Sequence, residues 1–147
     1  MHYSPLGKPW VHFLAEEYTR CGFRFVPLVR KDSAFSCSLD ILFLRRDNPG
    51  NLVCSGGDID NRIKVLFDAL RIIDNRSELG TANPIPAPGE DPFFCLLEDD
   101  NLITDVKITT DRLLVPVQSE ENIHDVELVI HVKLTAPGAL FHGDRLV

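Results

Sequence analysis

Polar and apolar residues alternate along this chain with two periods. Phe35, Cys37, Leu39, Ile41 and Phe43 alternate with Ser36, Ser38 and Asp40, the period of two that a half-buried strand shows, and predict a strand over 35–44. That run ends in Arg45-Arg46-Asp47-Asn48-Pro49-Gly50, a turn with paired positive charge. Val126, Leu128, Ile130, Val132 and Leu134 alternate with Asp125, Glu127, His131 and Lys133 and give the clearest strand. Leu102, Thr104, Val106, Ile108 and Thr110, alternating with Ile103, Asp105 and Lys107, give another. Ile59, Ile63, Leu66, Phe67, Leu70 and Ile73 instead recur at steps of three and four, a helix with one buried face, and Asp60, Lys64, Asp68 and Arg71 share its other face. Asp58, after Gly56 and Gly57, is placed to cap that helix.

The same helical spacing joins Trp10, Val11, Leu14, Tyr18 and Cys21 and predicts a helix over 8–21, with Pro9 in its first turn and Gly22 as its stop. Residues 23–29 are apolar but interrupted by Pro27, which suits an edge strand or an extended connection. Phe93 to Leu97 is a short apolar run leading directly into Glu98-Asp99-Asp100. Residues 74–92, rich in Asn, Gly, Pro and acids, read as a mobile surface loop. Residues 1–7 read as an irregular lead-in, and 137–147 as a frayed or partner-bound tail. The elements sum to an α+β fold: one small domain over 1–147, with a mixed sheet of about four strands backed by two or three helices.

With 147 residues, 44% of them hydrophobic, the chain can bury a core of its own. No apolar run approaches the roughly 20 residues of a membrane span, and the Met-His-Tyr-Ser-Pro start lacks the pattern of a signal peptide, so a cytoplasmic protein with no membrane partner is expected. Cys21, Cys37, Cys54 and Cys95 form no C-x-x-C pair, and four buried, reduced thiols are the simplest reading. The net charge of −7 argues against a nucleic-acid partner, but it is unevenly spread. Residues 1–76 carry eleven Lys and Arg against nine acids, a balance of +2, and residues 77–147 carry four against thirteen, a balance of −9.

The candidate chemistry lies in the carboxylates. Asp58 and Asp60 flank a helix start, where a capping conformation can converge them, and Asp100 follows an apolar strand emerging from the core. Three oxygen ligands of this kind suit Mg²⁺ or Mn²⁺, and such a site hydrolyses a phosphodiester by orienting a water in line with the leaving oxygen. Lys64, one turn after Asp60, would then offset charge in the transition state. Simpler roles stand beside these: Asp58 as a helix cap, Asp60 and Lys64 as an i,i+4 surface pair, Glu98-Asp99-Asp100 as a solvated turn. D-x-D also holds metal in nucleotide-sugar transferases, although no nucleotide-binding βαβ pattern precedes it here.

Taken together, Asp58-Ile59-Asp60-Asn61 with Lys64 and Asp68-Ala69-Leu70, then Leu97-Glu98-Asp99-Asp100 with Ile103 and Asp105, resemble the RusA family of Holliday-junction resolvases. The resemblance covers 57–70 and 97–106. It implies a small homodimeric, Mg²⁺-dependent endonuclease of DNA recombination and repair that cuts four-way junctions by paired incisions, with Mn²⁺ a possible substitute. It further implies Asp58, Asp60 and Asp100 as metal carboxylates, Asp99 as a supporting acid, Lys64 as the catalytic cation and Asn61 as a residue shaping the helix start. Phosphate contacts would come from Arg45, Arg46, Arg62 and Arg71, with Arg20, Arg24, Arg30 and Lys31 as further candidates. Other branched DNA is an alternative substrate. The acidic second half motivates a different class of reading, a relative of the same fold that no longer cuts and serves as a binding module for DNA or protein.

Overall fold

The computed structural model describes residues 9–51, 58–80, 84–114 and 126–136, and of Asp58 the backbone only. The lead-in over 1–7, the tail over 137–147, Cys54, the two glycines before the helix and the capping carboxylate of Asp58 lie outside the described residues. The chain divides into two compact units, one drawn from the chain up to Ser33 with Phe67–Leu102, the other from Ala34–Leu66 with Ile103 onward. The architecture is α+β, but among the described residues six strands in two three-stranded sheets replace the single sheet of about four.

In the first unit, helix α1 (Trp10–Glu17) is followed by strands β1 (Thr19–Arg20), β2 (Phe23–Val29) and β4 (Phe93–Leu97) in the order β1-β2-β4. The helix stops well short of Cys21. Tyr18 N–H still reaches Leu14 O (3.0 Å), but the Thr19 hydroxyl takes the carbonyls of Ala15 and Glu16 (both 3.1 Å) and the chain turns into β1. Gly22 is therefore no helix stop. With Cys21 it forms a two-residue hairpin loop, Thr19 facing Arg24 and Arg20 facing Phe23, and both residues have positive φ (51° and 86°), the backbone that matches the twist of a tight hairpin. The buried face of α1 is also shifted: Ala15 and Tyr18 are buried and Leu14 half-buried, whereas Trp10, Val11 and Phe13 are exposed.

Strand β2 tolerates Pro27 because β1 pairs only as far as Arg24, so no ladder N–H is needed on that side. On its other side β2 runs parallel to β4, with Pro27 opposite Cys95 and Val29 opposite Leu97. Tyr18, Phe23, Phe25 and Ile72 form the core, with Leu14, Ile73, Leu79 and Cys95 packed around it. The stretch read as a mobile loop carries a 3-10 helix, Arg76–Leu79, closed by a reciprocal cap: Asn75 Oδ1 accepts from Ser77 N–H (3.0 Å) and Glu78 Oε1 from Asn75 N–H (3.3 Å). Asn75-x-x-Glu78 is the sequence signature of such a cap.

In the second unit β3 (Ser36–Arg45) is the middle strand, parallel to β5 (Ile103–Arg112) and antiparallel to β6 (Val126–Thr135). Cys37, Leu39, Ile41 and Phe43 are buried, as their alternation requires; Phe35, expected with them, precedes the strand and is exposed. The paired residues Leu134, Val132 and Leu128 of β6 share their face yet stay 37–40% exposed.

Helix α2 (Asp58–Leu70) ends before Ile73. Arg71 bridges to Leu97 and Ile72 N–H reaches Leu97 O (2.9 Å), so Ile72 is the buried residue and Ile73 only half-buried. Of the thiols, Cys37 is buried while Cys21 and Cys95 are half-buried, and all three are free.

Ile41→Ala should cost about 2–5 kcal/mol of stability, the range for emptying a packed aliphatic site, whereas Val65→Ala, at a position 68% exposed, should leave the midpoint of urea unfolding almost unmoved. Equal shifts in the two variants would mean that Ile41 is not packed in a core.

Candidate metal and nucleic-acid site

Helix α2 presents its first two turns as the sequence pattern requires. Ile59, Ile63 and Leu66 are half-buried, and Asp60, Asn61 and Lys64 are exposed. Asp58 opens the helix, one position inside where a cap would sit. Among the described residues no ion pair joins Asp60 to Lys64, so the simple i,i+4 surface pair is not formed and both charged groups face solvent. In the same unit Arg45 lies at the end of β3 with its guanidinium on Asp47 (2.9 Å), and Arg46 and Arg62 are half-buried.

The second group of acids belongs to the other unit, where the end of β4 delivers it. Leu97 is fully buried, and the next three residues are held in different ways. Glu98 N–H donates to Val29 O (2.9 Å), and its Oε2 accepts from Lys31 N–H (2.7 Å) and from the Tyr18 hydroxyl (3.4 Å). Asp99 Oδ2 pairs with Lys31 Nζ at 2.7 Å, and its Oδ1 accepts from Asn101 N–H at 3.0 Å. Asp100, at the start of a 3-10 helix (Asp100–Leu102), is exposed and enters no ion pair among the described residues.

These contacts set the electrostatics. The hydrogen bond from Lys31 holds the Asp99 carboxyl below the usual carboxylate range, helped by the Asn101 N–H, and Asp99 in turn raises Lys31. Burial, then the nearby Glu98 charge, pushes Tyr18 up to about 12, so its hydroxyl stays a donor at any physiological pH. A cavity of about 90 Å³ lies against Arg20, Lys31, Asp74, Glu98 and Asp99.

Arg71 answers several acids at once. Its side chain is only 11% exposed and it bonds Asp68 (2.9 Å), Asp74 (3.0 Å), Glu78 (3.3 Å) and its neighbour's carbonyl, Ile72 O (2.8 Å). The guanidinium is thus committed to the protein's own acids where helix α2 ends, and little of it is left for a phosphate.

Asp58, Asp60, Asn61 and Lys64 thus share one helix start in the second unit, while Asp99 and Asp100 share one turn in the first. Among the described residues no group of three His, Cys, Asp or Glu is arranged to hold a metal ion; the Asp58 side chain lies outside that set. Taken singly, Asp58, Asp60 and Asp100 each carry the carboxylate oxygens that suit a hard cation, and neither Asp60 nor Asp100 is neutralised by a described basic residue, in contrast to Asp99. Lys31 is the residue that sequence reasoning left as one basic side chain among eight. The signal that finds it is the strand register: with Val29 opposite Leu97, two further steps along each chain set Lys31 opposite Asp99. The chain matches no protein-family model, no curated protein and no solved structure.

Arg71→Met should destabilise the fold by about 1–2 kcal/mol, the scale of charged hydrogen bonds after screening of the outer acids. Arg24→Met, which removes the exposed pair with Asp91, should leave the urea midpoint nearly unchanged. Because the folded Asp99 carboxyl titrates below its unfolded value of about 3.9, its pair adds stability above that pH and loses it as pH falls through the folded value. Asp99→Asn should therefore flatten the acid limb of the stability profile; an unaltered limb would show that the pair adds nothing.

Proposed function

We propose that this chain is a Mg²⁺-dependent, structure-specific DNA endonuclease of the RusA type that resolves four-way junctions as a homodimer. The observation that carries the reading is the helix start Asp58-Ile59-Asp60-Asn61, with Asp60 and Lys64 both presented to solvent. Asp58, Asp60 and Asp100 would hold the cation, whose bound charge would polarise the scissile phosphate and favour attack by water. Asp99, kept ionised by Lys31, supports Asp100. Lys64 supplies a positive charge that costs no proton transfer and offsets the charge that builds on the phosphoryl oxygens. Asn61 shapes the helix start.

Arg45, Arg46 and Arg62, in the same unit as the helix start, are the residues to meet DNA phosphates, each adding to a salt-dependent affinity. Arg71 is left to its structural role. The homodimer reading draws on β6, an outer strand among the described residues with Leu128, Val132 and Leu134 exposed on one face, a row that two-fold packing of that face against its copy would cover. A second reading, a binding module without cleavage, is favoured by the −9 balance over residues 77–147, which opposes tight phosphate binding. Other branched DNA remains a substrate of the first reading, separated by experiment.

Labelled four-way junction, flap and linear duplex, incubated with wild type and Asp60→Asn in Mg²⁺, Mn²⁺ and EDTA, test the proposal. Paired metal-dependent nicks confined to the junction and lost in Asp60→Asn, with junction binding in EDTA retained, are expected. Lys64→Ala should slow cleavage by about 10²–10³ and weaken binding far less. Binding of the junction without cleavage in either metal would select the binding module, and no binding at all would remove DNA from the account.

A further inference from the structure

Four contacts converge on one turn of the first unit. Glu98 N–H reaches Val29 O (2.9 Å), Lys31 N–H reaches Glu98 Oε2 (2.7 Å), Tyr18 OH reaches the same oxygen (3.4 Å), and Lys31 Nζ holds Asp99 Oδ2 (2.7 Å). Lys31 therefore grips the turn twice, by its main chain at Glu98 and by its side chain at Asp99. The other Asp99 oxygen accepts from Asn101 N–H (3.0 Å), and Asp99 O accepts from Leu102 N–H (3.2 Å), closing the 3-10 turn that carries Asp100. Lys31 is the only basic side chain on Asp99 among the described residues.

We propose that Lys31 is a positioning residue: by fixing Asp99 against the end of β2 it sets the direction of the Asp100 carboxylate and keeps Asp99 itself from turning toward a cation. The proposal rests on the metal-dependent reading above. Its physical basis is preorganisation. A carboxylate on a turn pinned at both flanks needs little reordering to take a metal, whereas one on a loose turn loses that much affinity. The side chain of Lys31 is half exposed, so its role is to orient this turn and not to hold the fold together.

The test uses the full chain with Lys31→Met, which keeps the length of the side chain without its charge, and Lys31→Arg, which restores a donor. In metal-free protein Lys31→Met should melt within about 2 °C of wild type, as a surface change does, yet the Asn101 and Leu102 amides should exchange faster. Its affinity for Mn²⁺ alone, by calorimetry, should fall by about 10–100-fold, the usual effect of losing a partner behind a metal ligand. Lys31→Arg should recover most of that loss, and junction binding in EDTA should be the same in all three proteins. Unchanged or tighter Mn²⁺ binding in Lys31→Met would overturn the proposal, as would an equal loss of junction binding in EDTA, which would make Lys31 a phosphate contact. If wild type cuts the junction and Lys31→Met takes up Mn²⁺ normally, the positioning role fails and the endonuclease stands. If Lys31→Met binds Mn²⁺ poorly but wild type cuts no branched DNA, the endonuclease fails and the positioning role stands. No Mn²⁺ uptake by wild type would overturn both.

Discussion

Leu97 is the residue on which the first unit turns. It is fully buried, its strand pairs in parallel with β2 on one side, and on the other its carbonyl receives Ile72 N–H as the chain leaves helix α2. One backbone position thereby ties together the middle strand, the exit of the helix and the acidic turn that follows. A parallel pair can form only after a long connection has closed, so this contact fixes segments that sequence alone keeps far apart. Glu98, Asp99 and Asp100 inherit their placement from it, because a buried apolar anchor immediately before a polar turn leaves the turn little freedom.

How much of this could be read in advance depends on whether the signal was local. Strand β3 was legible because Cys37, Leu39, Ile41 and Phe43 alternate with polar residues and are buried as that alternation demands. Strand β6 was legible for the same reason, although its burial was not: the period shows which residues share a face, and only the fold shows what covers them. Local signals also misled. Pro27 pointed to an edge strand or an extended connection, but β2 is the middle strand of its sheet, because the neighbour that Pro27 would have disturbed ends at Arg24. Helical spacing ran on to Cys21 and to Ile73, and both helices stop earlier, the first at a Thr19 hydroxyl that captures carbonyls and the second at a backbone bond to Leu97. Of the candidate site, the helix-borne group was visible as spacing, whereas the Lys31 pairing depends on a register that no single stretch contains.

The acids sort themselves by whether a cation already answers them. Asp68, Asp74 and Glu78 share Arg71, and Asp99 has Lys31. Asp60 and Asp100 are answered by none of the described residues. A formal charge of −7 therefore overstates the field around some parts of the chain and understates it around others, so the local pairing of each acid says more about the surface than the net charge does.

The sheet of the second unit has a consequence for the order in which the protein is made. Its middle strand pairs Leu39 with Val106 on one side and with Val132 on the other, so neither partner has been synthesised when β3 emerges. At ribosomal rates the last partner follows on the order of 5–20 s later. During that interval an apolar row at Cys37, Leu39, Ile41 and Phe43 has no sheet to enter. The tight β1–β2 hairpin can close at once, whereas the second unit stays unsatisfied until β6 has been made, and that delay is the period in which the nascent protein is most exposed to wrong pairing.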